Sequence, residues 1–141
     1  NDASLRGMFH GLGHATGRAD LTRAVLEGVA LGLGESSDAL AAAGTKLDRI
    51  AATGGGARSQ HWLKIIASAL EVEIDLPEAG DHGAALGAAR LGAMAAGEDS
   101  DAFRSQPIVA STVSPDAALT SALRERAERF AGLRDAARLD Q

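Results

Sequence analysis

The sequence predicts an α/β fold in which short strands alternate with longer helices. Three observations predict it. Apolar residues recur at helical spacing through two long stretches, 20–43 and 59–70. Two short runs between them, Arg49 to Thr53 and Val72 to Leu76, read as strands. Glycine-rich breaks at Gly44, Gly54-Gly55-Gly56 and Pro77 to Gly80 separate the segments.

In chain order, Met8-Phe9-His10-Gly11-Leu12 is short and apolar and reads as a strand, followed by a loop from Gly13 to Ala19. Asp20 is placed to cap a helix running to about Ala43, with Leu21, Ala24, Val25, Gly28 and Gly32 on its repeating face. Gly44 stands where a helix C-terminal glycine belongs. Arg49 to Thr53 is expected to be a buried strand, broken by the three glycines. Ser59 caps a second helix to about Leu70, with Trp62, Ile65, Ile66, Ala69 and Leu70 on its apolar face. Val72 to Leu76 alternates apolar and acidic residues, as a half-exposed strand does. After the turn from Pro77 to Gly80, Asp81 is placed to cap a third helix through Ala96, apolar almost all round and so expected to be buried. Residues Gly97 to Pro115 read as a polar surface connection. A last amphipathic helix sets Leu119, Leu123, Phe130 and Leu133 against a solvated Arg/Glu face. Two or three strands in parallel pairing are too few to cover three long helices. The remaining strands are expected upstream of this chain.

Composition narrows the function classes. The chain has 141 residues, 45% of them apolar, and 23% charged, which suits a folded domain or part of one. It starts at Asn1 rather than Met, as a processed or cut segment would. A net charge of -5 with no basic run argues against nucleic acid or an anionic membrane as partner. With no cysteine, disulfides, thiolate chemistry and Cys-based zinc sites are excluded within the segment. No signal peptide or bilayer-length apolar stretch is present, and a cytoplasmic enzyme is the matching expectation. His10, His14, His61 and His82 lack metal-ligand spacing, and no nucleophile elbow occurs. Seventeen glycines and few large side chains imply close approach of backbones.

The chemistry-bearing feature is Ala52-Thr53-Gly54-Gly55-Gly56-Ala57-Arg58-Ser59, a strand, three glycines and a helix start. Glycines without Cβ let a ligand touch the main chain, and helix N-terminal N–H groups favour an anion such as phosphate. The same pattern also serves as a plain tight turn. Ser59 is read as a ligand contact, a helix cap, or both. Trp62 is read as bordering a base or as a core indole, and Arg58 as near phosphate or solvated. The small-residue run Gly83-Ala84-Ala85-Leu86-Gly87-Ala88-Ala89 reads as a closely packed interface helix, and Asp81 as a cap rather than a base.

Several motifs together resemble the FGGY carbohydrate kinase family. Gly7-Met8-Phe9-His10-Gly11-Leu12, then seven residues, then Asp20-Leu21-Thr22-Arg23-Ala24-Val25-Leu26-Glu27 is similar to that family's second signature. Gly54 to Ser59 with Trp62 resembles its adenosine motif, and Gly83 to Gly92 its second connecting motif. The resemblance covers roughly Asp2 to Ala96 and is nearest to the xylulokinase branch. It implies the later part of a ribonuclease H-like domain of the actin/hexokinase ATPase type. Residues 1–141 would form the partial C-terminal, nucleotide-binding domain, with upstream strands and the N-terminal sugar-binding domain outside the chain. It further implies that Gly55, Gly56 and Ser59 contact ADP or ATP, that Gly54 shapes the turn, and that Mg²⁺ bridges the phosphates. Many relatives carry Asn where Ser59 stands, and Ser has a shorter reach. The catalytic base and most sugar contacts fall in earlier segments, so no catalytic residue is assigned here. The implied reaction is phosphoryl transfer from ATP to a ketopentose, D-xylulose, with the isolated segment inactive; homodimerisation is left open. Alternatives are a kinase of the same family acting on ribulose, glycerol, erythritol or another polyol, a non-catalytic actin-like nucleotide-binding module, and a structural domain without ligand.

Overall fold

In the computed structural model, residues 6–78, 80, 83–98 and 107–139 are described. The elements are α1 (Arg18–Ala42), β1 (Arg49–Ala51), a 3-10 turn (Gly55–Arg58), α2 (Gln60–Leu70), β2 (Glu73–Pro77), α3 (Gly83–Ala95), β3 (Val109–Val113) and α4 (Ala117–Leu139). The sheet order is β1-β2-β3. β1 and β2 pair in parallel, Ile50 opposite Ile74, and β3 adds antiparallel, Val113 opposite Ile74. An irregularity falls between Leu76 and Pro77, where proline offers no N–H to the ladder.

α2 is the crossover between the parallel strands, and it is buried on two sides. Leu63 and Ala67 pack with Ile74 and Val113 on the sheet, joined by Ile50, Ala52 and Leu76. Ile65 packs with Ala30 of α1 and Leu123 of α4. Three layers result: sheet, α2, and the α1–α4 pair. The opposite sheet face is polar by the two-residue period of a strand. On it Arg49 donates to Asp75 at 2.9 and 2.5 Å, and the Thr112 hydroxyl donates to Asp75 at 2.7 Å.

Local signals explain the ends of the elements. α1 ends in a Schellman motif: Gly44, at φ +89°, donates to the Ala41 carbonyl, and Thr45 to that of Leu40, both at 2.9 Å. α1 begins three residues earlier than its sequence suggests, with Gly17 rather than Asp20 at the N-cap. Asp20 is instead the third helical residue, and its carboxylate accepts the Gly17 N–H at 2.9 Å. Asp116 caps α4: its Oδ1 accepts the Leu119 N–H at 2.9 Å.

Several expectations are corrected. Met8 to Leu12 is not a strand: it runs as an exposed irregular segment, with no described strand beside it to complete a ladder. β1 is three residues long and half exposed rather than buried, because helix covers only one of its faces. The Leu21, Ala24, Val25, Gly28 side of α1 is not its core face. The core face carries Glu27 and Ala30, while the predicted stripe borders an open groove of about 980 Å³ with Met8, Phe9, Leu12 and Leu133. On α2, Leu63 and Ala67 join the apolar residues named from sequence, since the helix is covered twice. α3 forms but has no buried residue, and Leu91 is 69% exposed; composition called for burial, but no described element packs along it. The 97–115 connection holds a third strand, β3, built on the β-branched residues Val109, Thr112 and Val113. Its pairing with β2 is antiparallel, not parallel. The charged face of α4 is only partly solvated, for Arg126 and Arg134 pair with Glu27 and Glu35 of α1. Asp81 and His82, including the Asp81 cap, lie outside the described residues. Among the described residues no helix is long and apolar enough to cross a membrane.

Candidate functional site: a triple-glycine turn

The turn between β1 and α2 brings Gly54, Gly55, Gly56 and Ser59 together within one short stretch of chain. β1 fixes where it starts: Ala52 N–H continues the ladder to the Asp75 carbonyl at 2.9 Å. Gly54 then turns the chain at φ +85°, a conformation that L side chains rarely adopt. Its N–H donates to the Gly80 carbonyl at 2.9 Å, tying the turn to the segment after β2. One 3-10 turn follows, with Ala57 N–H to the Gly54 carbonyl and Ser59 N–H to the Gly56 carbonyl, both at 3.1 Å. A helical turn leaves its first N–H groups without an internal partner. Here those belong to Gly55 and Gly56.

The three glycines differ in surroundings. A Cβ on Gly55 would meet nothing within 4 Å, so this backbone faces open space. A Cβ on Gly56 would lie 2.6 Å from Cζ3 of Trp62, so the indole rests on this main chain. Gly54 has room but not the dihedral angle. Gly83, at the start of α3, would place a Cβ 2.9 Å from the Thr53 side chain. That is the close approach expected of the small-residue run, realised at one position.

Ser59 acts as the N-cap of α2: its Oγ accepts the Trp62 N–H at 3.3 Å. Arg58 is exposed. Trp62 is half-buried, and its Nε1 is buried without a hydrogen-bond partner among the described residues. His10, His14 and His61 are exposed, and no group of three or more His, Asp or Glu side chains gathers among the described residues. The Gly80 carbonyl and the approach of Gly83 to Thr53 belong to the same neighbourhood and are not evident from the sequence. Their signal was the second glycine-rich stretch, Gly80 to Gly83, whose partner only the fold reveals.

Electrostatics near the turn come from the polar sheet face. The Arg49 guanidinium, with help from the Thr112 hydroxyl, holds the Asp75 carboxyl below its usual range. Farther away, Arg124 does the same to Glu71 at the end of α2. Glu71 closes that helix in the left-handed region, at φ 56°.

The profile of the FGGY family of carbohydrate kinases, C-terminal domain, matches residues 1–96. A xylulose kinase of Escherichia coli K12 is 38% identical over 132 residues, which is 92% of this chain and 27% of that protein. A crystal structure described as a "xyloylose kinase" from Brucella ovis superposes with a TM-score of 0.88 at 48% identity, covering 100% of this chain and 29% of that one. A glycerol kinase of Gloeobacter violaceus is 37% identical over 111 residues, 76% of this chain and 22% of its own length. The chain thus spans little more than a quarter of the length of the first of these relatives.

Proposed function

The chain belongs to the FGGY family of carbohydrate kinases, with the ribonuclease H-like fold of that family, and on that premise we propose that it holds the adenine nucleotide in an ATP-dependent sugar kinase. The acceptor in this reading is a ketopentose, D-xylulose, and the product its 5-phosphate. Residues 1–141 are the C-terminal, nucleotide-binding part, and the sugar contacts and catalytic base lie in other segments of the whole protein. One observation carries the nucleotide assignment: Gly55 presents bare main chain to open space in the β1–α2 turn, whose first N–H groups have no partner within the turn itself. These residues suit a nucleotide, since a phosphate or ribose can reach the backbone without displacing a side chain. ATP would supply the phosphoryl group, and Mg²⁺ the charge neutralisation between phosphates. The described residues offer no cluster of ligands for the ion.

What the chain's own residues do is position. Gly54 sets the direction of the turn, Gly55 admits the ligand, and Ser59 fixes the start of α2. Ser59's hydroxyl oxygen is already engaged by the Trp62 N–H, so its part toward the nucleotide is secondary to capping. A cytoplasmic location is part of the same proposal.

The test is Gly55→Val in the intact protein. A Cβ at this position meets nothing within 4 Å; in variant protein shown by circular dichroism to be folded, ATP affinity falls by about tenfold or more, equivalent to roughly 1.4 kcal/mol. Unchanged ATP affinity in the folded variant refutes the site. A second reading within the family, a polyol kinase, draws on the glycerol kinase relative. Turnover measured across a panel of ketoses and polyols separates the two.

A further inference from the structure

We infer that Trp62 is a positioning residue for the triple-glycine turn, and that Gly56 is glycine because of the indole rather than because of the ligand. This rests on the nucleotide reading of the turn.

Three observations on this chain converge. First, the contact is direct: a Cβ on Gly56 would lie 2.6, 3.3 and 3.7 Å from Cζ3, Cε3 and Cη2 of the ring. Side chains on a helix lean back toward its N-terminus, so a bulky residue in the first turn of α2 covers the chain entering it. Second, Trp62 joins neither apolar cluster of the core. Its ring is half-buried at the start of α2, beside a 3-10 turn that has no buried residue of its own. Third, its Nε1 is buried with no acceptor among the described residues. A residue kept only to fill space would bury apolar area without an orphan donor. The ring is therefore explained by what it rests on. Trp62 meets the turn through both backbone and side chain, since its N–H also binds the Ser59 cap. Together with the Gly54 N–H to Gly80 carbonyl bond, these contacts fix where the Gly55 main chain points.

The experiment uses the intact protein and a double-mutant cycle of Gly56→Ala with Trp62→Ala, with Trp62→Leu as a second ring-removing variant should the first not fold. Removing the ring raises the KM for ATP by about tenfold while kcat and the sugar KM stay within about twofold. Gly56→Ala raises the ATP KM when the ring is present, and its penalty shrinks to about twofold or less once the ring is gone. Trp62→Phe restores part of the loss. An activity-independent reading is tryptic cleavage after Arg58 in nucleotide-free protein, which accelerates in the ring-removed variants. An unchanged ATP KM without the ring, or a Gly56→Ala penalty equal in both backgrounds, overturns the inference. Gly55→Val separates the two levels. If it leaves ATP binding intact, the nucleotide reading falls. If it weakens ATP binding while the Trp62 variants do not, the inference about Trp62 alone falls.

Discussion

Glu27→Ala loosens the seam between the two long helices by an amount the structure bounds. Glu27 is 8% exposed, and its Oε1 accepts from Arg23 Nε and from Arg126 Nη1, each at 2.6 Å. A hydrogen bond to a charged group contributes about 1.5–3 kcal/mol when the partners are dry. Here the Arg23 and Arg126 side chains stay 52% and 41% exposed, so both recover water when the carboxylate is lost. Exposed pairs contribute at most about 1 kcal/mol. The alanine variant therefore loses about 2 kcal/mol, and Glu27→Gln, which keeps the shape and one acceptor, about half of that. Arg126 crosses from α4 to α1, so a cycle of Glu27→Ala with Arg126→Ala isolates the interhelix part at about 1 kcal/mol. Urea unfolding of the intact protein at neutral pH, followed by far-UV circular dichroism at constant m, measures it. A coupling under about 0.3 kcal/mol would mean that this pair is idle and that the apolar contacts and the Arg134–Glu35 pair hold α4 to α1 without it.

Two further outcomes follow from buried or paired polar groups. Ser68 is 1% exposed and its Oγ accepts the Asp116 N–H at 3.0 Å, so Ser68→Ala strands that donor beside the α4 cap and lowers stability by about 1–3 kcal/mol in urea unfolding; an unchanged midpoint would show the bond to be idle. Asp75 is held below its usual range by Arg49, so its contribution is complete above the unfolded carboxyl pKa of about 3.9 and is lost as pH falls through the lower folded value. Asp75→Asn should thus be less stable than the parent at neutral pH and converge with it on acidification; a separation constant with pH would refute the pairing.

Much of this arrangement was legible because it is local. Gly44 announces a left-handed helix end, Ser59 a cap and the three glycines a break, and each needs only its neighbours in sequence to act. The alternation of Glu73, Ile74, Asp75 and Leu76 carried enough information to place a one-sided strand. What failed was non-local. Val109 to Val113 forms a strand only because β2 has a free edge for it, which a polar flanking sequence does not disclose. Composition marks α3 as apolar but cannot say what meets it, and among the described residues it has a close approach at Gly83 to Thr53 but no buried residue. The stripe on α1 was assigned by spacing alone, and a helix with apolar residues on two sides gives spacing two answers. In the candidate site, the glycines were readable as a group. Their separate reasons were not, because a dihedral angle, an open space and an aromatic neighbour look identical as one letter repeated three times.

The placement of α2 between sheet and helices has a consequence for recognition. An element clamped from two directions is among the last to open in local fluctuations, and amide protons along it should exchange slowly. The glycines that precede it are tied to it by the Ser59 N–H bond to the Gly56 carbonyl. On the proposed nucleotide reading, a ligand there would meet a turn anchored at one end to α2, which lowers the ordering cost of binding.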